Sequence, residues 1–416
     1  MKRIVIVAQR YGLEVNGGAE FHARKLAEHL SEWYHDRYDV HVYTTKAVDY
    51  STWANVYTTD TEVLNGVTVH RYPVEHTRDM DAFNEYSRQI IGKPHDAALE
   101  PKWFEMQGPY SPALISALKE TYEETDCFIF FTYLYYSTVA GLPLVGDKAI
   151  LIPTAHDEPP IYLHTFKKLF KEPAALFFNT PLEKAFVDKM FNTVRTLNNG
   201  GRGGTGVDVP DDFNPDTSPA DFFKAHPELT PTRYLFDVGR ISHEKGSDTL
   251  LQYFTEYKKR HPQSDLKLVF AGKEADVTLP TDRDDIISLG FVSDEEKFSA
   301  ISGSLALVNP SPFESLSIVV LEAFSQHVPV IVNGNCPVLK EHCVKGNCGL
   351  YYKDYFEFEA SVNYLLTHED VRTALGEKGY EYVEKNYNWR IIIDELSKMI
   401  DRVIDPAEAK VISHCC

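Results

Sequence analysis

Two glutamates stand eight positions apart in the stretch "SPFESLSIVVLEAF" (311–324), Glu314 at its polar mouth and Glu322 inside an apolar run. Carboxylates accept hydrogen bonds from hydroxyl groups. Across a loop and the first turns of a helix their separation would be about 10–15 Å, which suits the two polyol ends of a nucleotide-sugar. The amides of Ser315, Leu316 and Ser317, at the helix start, would aim at phosphate or sugar oxygens between them. Taken singly, each glutamate reads as an ordinary cap or surface carboxylate.

A second stretch, "GRISHEKG" (239–246), sets Arg240 and Lys245 between Gly239 and Gly246. An arginine fork and a lysine point charge beside a helix N-terminus make a clamp for a diphosphate. The plain alternative is two solvated cations on a loop. Gly17 and Gly18 in "VNGGAEFH" (15–22) allow close backbone approach to a ligand between a strand and a helix, or simply a tight turn. The G-x-G-x-x-G fingerprint of dinucleotide binding is absent there, which weakens an NAD-dependent oxidoreductase. In "PTAHDEPP" (153–160), His156 and Asp157 follow an apolar run, where open α/β sheets bind ligands. A histidine there suits substrate hydroxyls or developing charge.

Metal readings are weak. The D-x-D of "TDRDD" (281–285) sits in an acidic turn, and "NCPVLKEHCVKGNC" (335–348) has one C-x₄-C pair, Cys343 and Cys348, without the second pair of a structural zinc site. All six cysteines, Cys415 and Cys416 included, read as reduced thiols.

These residues need a scaffold. Short, continuously apolar runs recur, from 3–8 to 175–179 and again from 233–239 to 328–334, with helical spacing between them. Such runs mark parallel strands covered on both faces, so each half predicts a doubly wound α/β domain. The Gly-, Asp- and Pro-rich stretch 198–222 marks the junction, giving domains 1–207 and 208–385, with an amphipathic C-terminal helix expected to pack back on the first domain. The aromatic residues of 80–112, among them Trp103, Phe104 and Tyr110, read mainly as core.

The chain has 416 residues, 43% hydrophobic and 25% charged, as expected of a globular protein of two domains. Its net charge of −19 argues against nucleic acid as a partner. Without an apolar span or a leader pattern it is expected in the cytoplasm. The basic patch "HTFKKLFKEP" (164–173) offers peripheral contact with the inner face of a membrane.

Together these motifs resemble the retaining GT-B glycosyltransferases of family 4. The resemblance covers nearly the whole chain and is strongest over about 233–352. It rests on the E-x₇-E pattern at Glu314 and Glu322, the Arg240 and Lys245 pair, Gly17 with Gly18, and His156. It implies a GT-B fold, an α/β architecture of two Rossmann-like domains facing each other across a cleft. It implies a retaining hexosyltransferase that needs no cofactor or metal. The donor would be a nucleoside-diphosphate sugar, UDP or GDP, and the acceptor a glycan or lipid-linked sugar, as in polysaccharide biosynthesis. Arg240 and Lys245 would stabilise the leaving diphosphate, Glu314 would contact the donor sugar, Glu322 the ribose, and His156 would line the sugar side. The base would border Phe291 and Val292 in "LGFVSDEE" (289–296). One departure is Thr205, where the family often has asparagine at the junction. Rival expectations are a nucleotide-sugar-binding protein without turnover, the oxidoreductase, or an epimerase or phosphorylase of the same fold.

Overall fold

A computed structural model describes residues 1–15 and 17–406. Cys415 and Cys416 lie outside the described residues. The chain divides into two compact units, one made of residues 1–205 with the segment from Trp389 onward, the other of Gly206–Asn388.

The first unit is built on eight strands: β1 (Lys2–Val7), β2 (Tyr38–Thr45), β3 (Thr61–Leu64), β4 (Val67–Tyr72), β5 (Cys127–Phe131), β6 (Ala149–Ile152), β7 (Ala175–Leu176) and β8 (Leu197–Asn198). Their order is β3-β4-β2-β1-β5-β6-β7-β8. All pairings are parallel except the β3–β4 hairpin. Central strands are apolar throughout because both faces are covered: Ile4 and Ile6 face one core cluster, Val5 and Val7 the other. The chain turns to opposite sides of β1 to form β2 and β5, so the carboxyl ends of β1 and β5 make a topological switch point.

The last helix, Trp389–Ile404, belongs to this unit. Ile392, Ile393, Leu396, Met399, Ile400 and Val403 recur at helical spacing and join the cluster of Ile4, Leu26 and Leu30. Its polar flank is pinned to the segment before β2. Tyr34 donates to Asp394 at 2.6 Å, and Arg37 grips both oxygens of Asp401 at 2.8 Å.

The second unit has six parallel strands: β9 (Tyr234–Val238), β10 (Lys267–Ala271), β11 (Ile286–Ser288), β12 (Ala306–Asn309), β13 (Val330–Asn333) and β14 (Gly349–Tyr352). Their order is β11-β10-β9-β12-β13-β14, so the switch point lies between β9 and β12. Two helices leave those strands and cover the sheet, Ser247–Arg260 after β9 and Ile318–Ser325 after β12. The second helix is apolar nearly all round, with Val320, Leu321, Ala323 and Phe324 buried, as expected of a helix with neighbours on several sides.

One sequence expectation changes. The helix expected to start at Ser315–Ser317 begins at Ile318, because Ser317 takes a left-handed conformation (φ 68°) that prolongs the loop. In the basic patch 164–173, Phe166, Leu169 and Phe170 are core, and Lys167, Lys168 and Lys171 are exposed. No described helix is long and apolar enough to cross a membrane.

Candidate functional site

The loops after β9 and β12 meet at the second unit's switch point. Gly246 closes the first loop at φ 76°, and a Cβ there would lie 2.6 Å from the Pro310 carbonyl oxygen, so only glycine lets the two loops pack. Gly239 leaves β9 at φ 146°, with nothing within 4 Å of where a Cβ would stand. The helices that follow, Ser247–Arg260 and Ile318–Ser325, both lack a side-chain cap. Their N-termini therefore present partial positive charge at the place where open α/β sheets take ligands.

Lys245 donates from Nζ to Glu314 Oε1 at 2.8 Å, joining the two loops. Burial disfavours the lysine's charge, but Glu314 outweighs it and the pKa of Lys245 rises. Arg240 pairs instead with Glu244 at 2.7 Å and is exposed. Beneath them Asp237, on β9, is pushed up to about 7 by burial, with Lys245 pulling it down and Glu314 pushing it further up. The site thus holds a lysine cation amid acidic groups. An incoming diphosphate would have to compete with Glu314 for Lys245, and a sugar hydroxyl could then take the place of the ammonium on Glu314.

Glu322 lies in the body of its helix, 5% exposed, and accepts from Lys297 Nζ at 2.8 Å through Oε1. Its other oxygen, Oε2, is buried without a hydrogen-bond partner. A buried carboxylate oxygen left so is costly and ready to accept from a hydroxyl donor. Lys297 is raised in pKa: burial pulls it down, but the Glu322 and Asp294 charges hold it up.

The remaining residues singled out by sequence fall as follows. Ser315 is half-buried, while Leu316 and Ser317 are buried at the mouth of the helix, Ser317 Oγ accepting from Asn309 Nδ2 at 2.9 Å. Phe291 is 75% exposed and Val292 half-buried just beyond β11, in a turn tied to β10's exit by Gly272 N donating to Gly290 O at 2.7 Å. In the first unit, Gly17 and Gly18 are exposed at the start of the helix Gly18–Trp33, following β1. His156 and Asp157 follow β6; His156 Nε2 lies 3.6 Å from Glu158, and Asp157 accepts from Tyr162 at 2.7 Å. Trp103 and Phe104 are core, and Tyr110 is half-buried.

Two supporting residues escaped the sequence reading, and a third, His342, was read there only as a metal candidate. Lys297 sits 25 positions from the glutamate it neutralises, with no local signal linking them. Glu183 accepts from the amides of Ala155 and Asn179, both at 2.6 Å, and so anchors the loop that carries His156. His342 donates from Nε2 to the Leu316 carbonyl at 2.8 Å, latching the glutamate loop from behind. In the cysteine motif His342 is thus occupied, Cys343 and Cys348 make weak bonds to backbone carbonyls, and burial pushes both thiols up. The D-x-D pair flanks Arg283, which grips the following Asp285 with two 2.8 Å bonds.

His342 and, in the first unit, His22 are both buried, and burial lowers each to about 4 from 6.5. A depressed histidine stays neutral in the folded chain while the unfolded chain takes up a proton. Stability held above pH 6.5 is therefore lost as pH falls from 6.5 to 4, by about 3 kcal/mol per histidine at full effect. Urea unfolding at pH 7.5 and 4.5 should show this loss. His342→Gln should flatten the pH dependence of the second unit, and an unchanged dependence would assign it to other groups.

Comparison with known proteins fits this layout. Residues 220–382 match the family model for glycosyl transferases group 1. The chain is 26% identical over 197 residues to the capsular polysaccharide biosynthesis glycosyltransferase CapM of Staphylococcus aureus, covering 45% of this chain and 50% of that one. It is 25% identical over 243 residues to an uncharacterised glycosyltransferase of Methanocaldococcus jannaschii, covering 56% and 57%. The chain thus spans about half the length of the curated relatives it matches. Among solved structures, sucrose-phosphate synthase from Thermosynechococcus elongatus superposes with a TM-score of 0.72 at 15% identity, covering 98% of this chain and 100% of that one. Anabaena HepE in complex with UDP and glucose gives 0.67 at 12% identity, covering 96% and 100%. The chain therefore has the GT-B fold, and its residues 220–382 are similar to the glycosyl transferases group 1 model.

Proposed function

We propose that the chain is a retaining glycosyltransferase of family 4 that moves a hexose from a nucleoside-diphosphate sugar to a glycan or lipid-linked acceptor. The Lys245–Glu314 pair at the β9/β12 switch point carries this reading. It puts a cation and a hydroxyl acceptor side by side, between two uncapped helix N-termini. The diphosphate takes Lys245 and Arg240, the sugar takes Glu314, and the ribose takes the free oxygen of Glu322. Charge growing on the departing diphosphate meets fixed positive groups, which is where preorganised electrostatics contributes most. The proposed reaction draws on no metal.

Incubation of the purified chain with UDP- and GDP-hexoses and a panel of glycan and glycolipid acceptors tests the reading, with NMR of the product's anomeric configuration. Retained configuration in a chelator-treated sample is expected. Glu314→Gln should bind the nucleoside diphosphate but lose discrimination among donor sugars. Binding without transfer across the panel would point to a sugar-nucleotide-binding protein, and inverted product would overturn the retaining assignment.

A further inference from the structure

A cluster in the first unit, outside the group 1 segment, is not used by this chemistry. Glu100 opens the helix Glu100–Gln107 and its side chain is 1% exposed. Its Oε1 faces three groups: His95 Nε2 at 2.9 Å, His164 Nδ1 at 2.8 Å and the His164 amide at 2.8 Å. Its Oε2 accepts from the Thr165 amide at 2.8 Å and the Thr165 hydroxyl at 2.6 Å. The two rings meet edge to face, 5.1 Å between centroids. One ligand atom from each of His95, Glu100 and His164 lies within 4.8 Å of the others, the only such group among the described residues.

The outer bonds fix how these atoms face each other. His95 Nδ1 lies 2.9 Å from the Lys93 carbonyl, which only accepts, so Nδ1 carries the hydrogen. In the neutral ring Nε2 is then a lone pair aimed at a carboxylate oxygen. Two lone pairs at that distance need a proton or a metal ion between them. Hydrogen bonding of the second imidazole nitrogen to a carbonyl, and of the free carboxylate oxygen to a hydroxyl and an amide, is also the usual outer support of metal ligands. The supports are rigid, since Trp103, Phe104 and Phe166 beside the cluster are core residues. His164 is 47% exposed, which leaves solvent access for water to complete the coordination.

We propose that His95, Glu100 and His164 form a binding site for a divalent transition-metal ion of the zinc class, which ties the 92–100 segment to the 163–165 loop. Two imidazole nitrogens and one carboxylate oxygen with open positions suit zinc and its neighbours and disfavour calcium or magnesium. On binding, the metal replaces the protons that the imidazoles direct at Oε1, while the His164 amide keeps its bond. The site is separate from the donor chemistry and stands whether or not the transferase reading holds.

The test uses the full chain without an affinity tag, stripped by chelator and dialysed against zinc, with metal quantified and thermal unfolding recorded. One zinc per chain and a raised Tm are expected, with no retention of calcium. His164→Ala, at a half-exposed position, should keep the wild-type Tm in chelator and lose the zinc. Thr165→Val, which removes one support from Glu100, should weaken zinc binding about tenfold. X-ray absorption should show two nitrogen ligands and oxygen. Zinc retained equally by wild type and His164→Ala, or by neither, would overturn the site and leave the cluster held by protons alone.

Discussion

Replacing Lys245 with methionine is expected to slow sugar transfer about 10²–10³-fold, the usual effect of deleting one donor aimed at developing charge. The size follows from where the ammonium sits. It lies in a loop held tightly by Gly246 against Pro310, beside a helix N-terminus, and Glu314 keeps it charged. The same substitution leaves Glu314, 15% exposed at its side chain, without its partner, so some loss of stability accompanies the loss of rate. The double variant Lys245→Met/Glu314→Gln separates the two effects. It should recover thermal stability and stay slow. A single variant with near wild-type turnover would remove Lys245 from the chemistry and with it the proposed role of the switch point.

The second large effect is on stability. Glu322→Ala should destabilise the chain by about 1–3 kcal/mol, because it leaves a mostly buried ammonium with only the exposed Asp294 as partner. Lys297 and Glu322 are 16% and 6% exposed at their side chains, so solvent screens the pair little. Urea unfolding of the variant measures the loss. Lys297→Met/Glu322→Leu, which fills the space without charge, should regain most of the stability. It should not regain affinity for a nucleoside diphosphate, because the unpartnered Oε2 that would accept ribose hydroxyls is gone with the carboxylate. Recovery of both in the double variant would show that Glu322 serves the fold alone.

The two variants probe different bonds, yet sequence presents both glutamates alike. Their spacing and apolar setting are local facts. What each one touches is not. Glu314 meets a lysine 69 positions away, and Glu322 one 25 positions away. Arg240 and Lys245 look like a pair in the sequence, whereas the structure gives one to Glu244 and the other to Glu314. The cysteine-rich stretch drew the zinc question to 335–348, while the imidazoles that converge on a carboxylate lie at 95 and 164, with no spacing motif to mark them.

The strands divide along a similar line. Those buried on both faces were legible, because a parallel strand under helices must be apolar at every position. β3 was missed: as an antiparallel edge strand it alternates exposed and half-buried residues, and Thr61–Leu64 carries a glutamate. β8 has only two residues, and β14 lies at a sheet edge with Tyr351 exposed. Short edge strands owe their pairing to a neighbour already in place, so their own composition says little.

By itself, then, the sequence determined the α/β class, the two-sheet layout and the kinds of groups available for binding, since all three follow from local hydrophobic period and residue chemistry. Only the tertiary structure decided which carboxylate each lysine neutralises, that Ser317 delays the helix to Ile318, and that His342 and Glu183 hold their loops from behind. Those outcomes depend on which loops the sheet order makes neighbours, and strand order is a property of the whole chain.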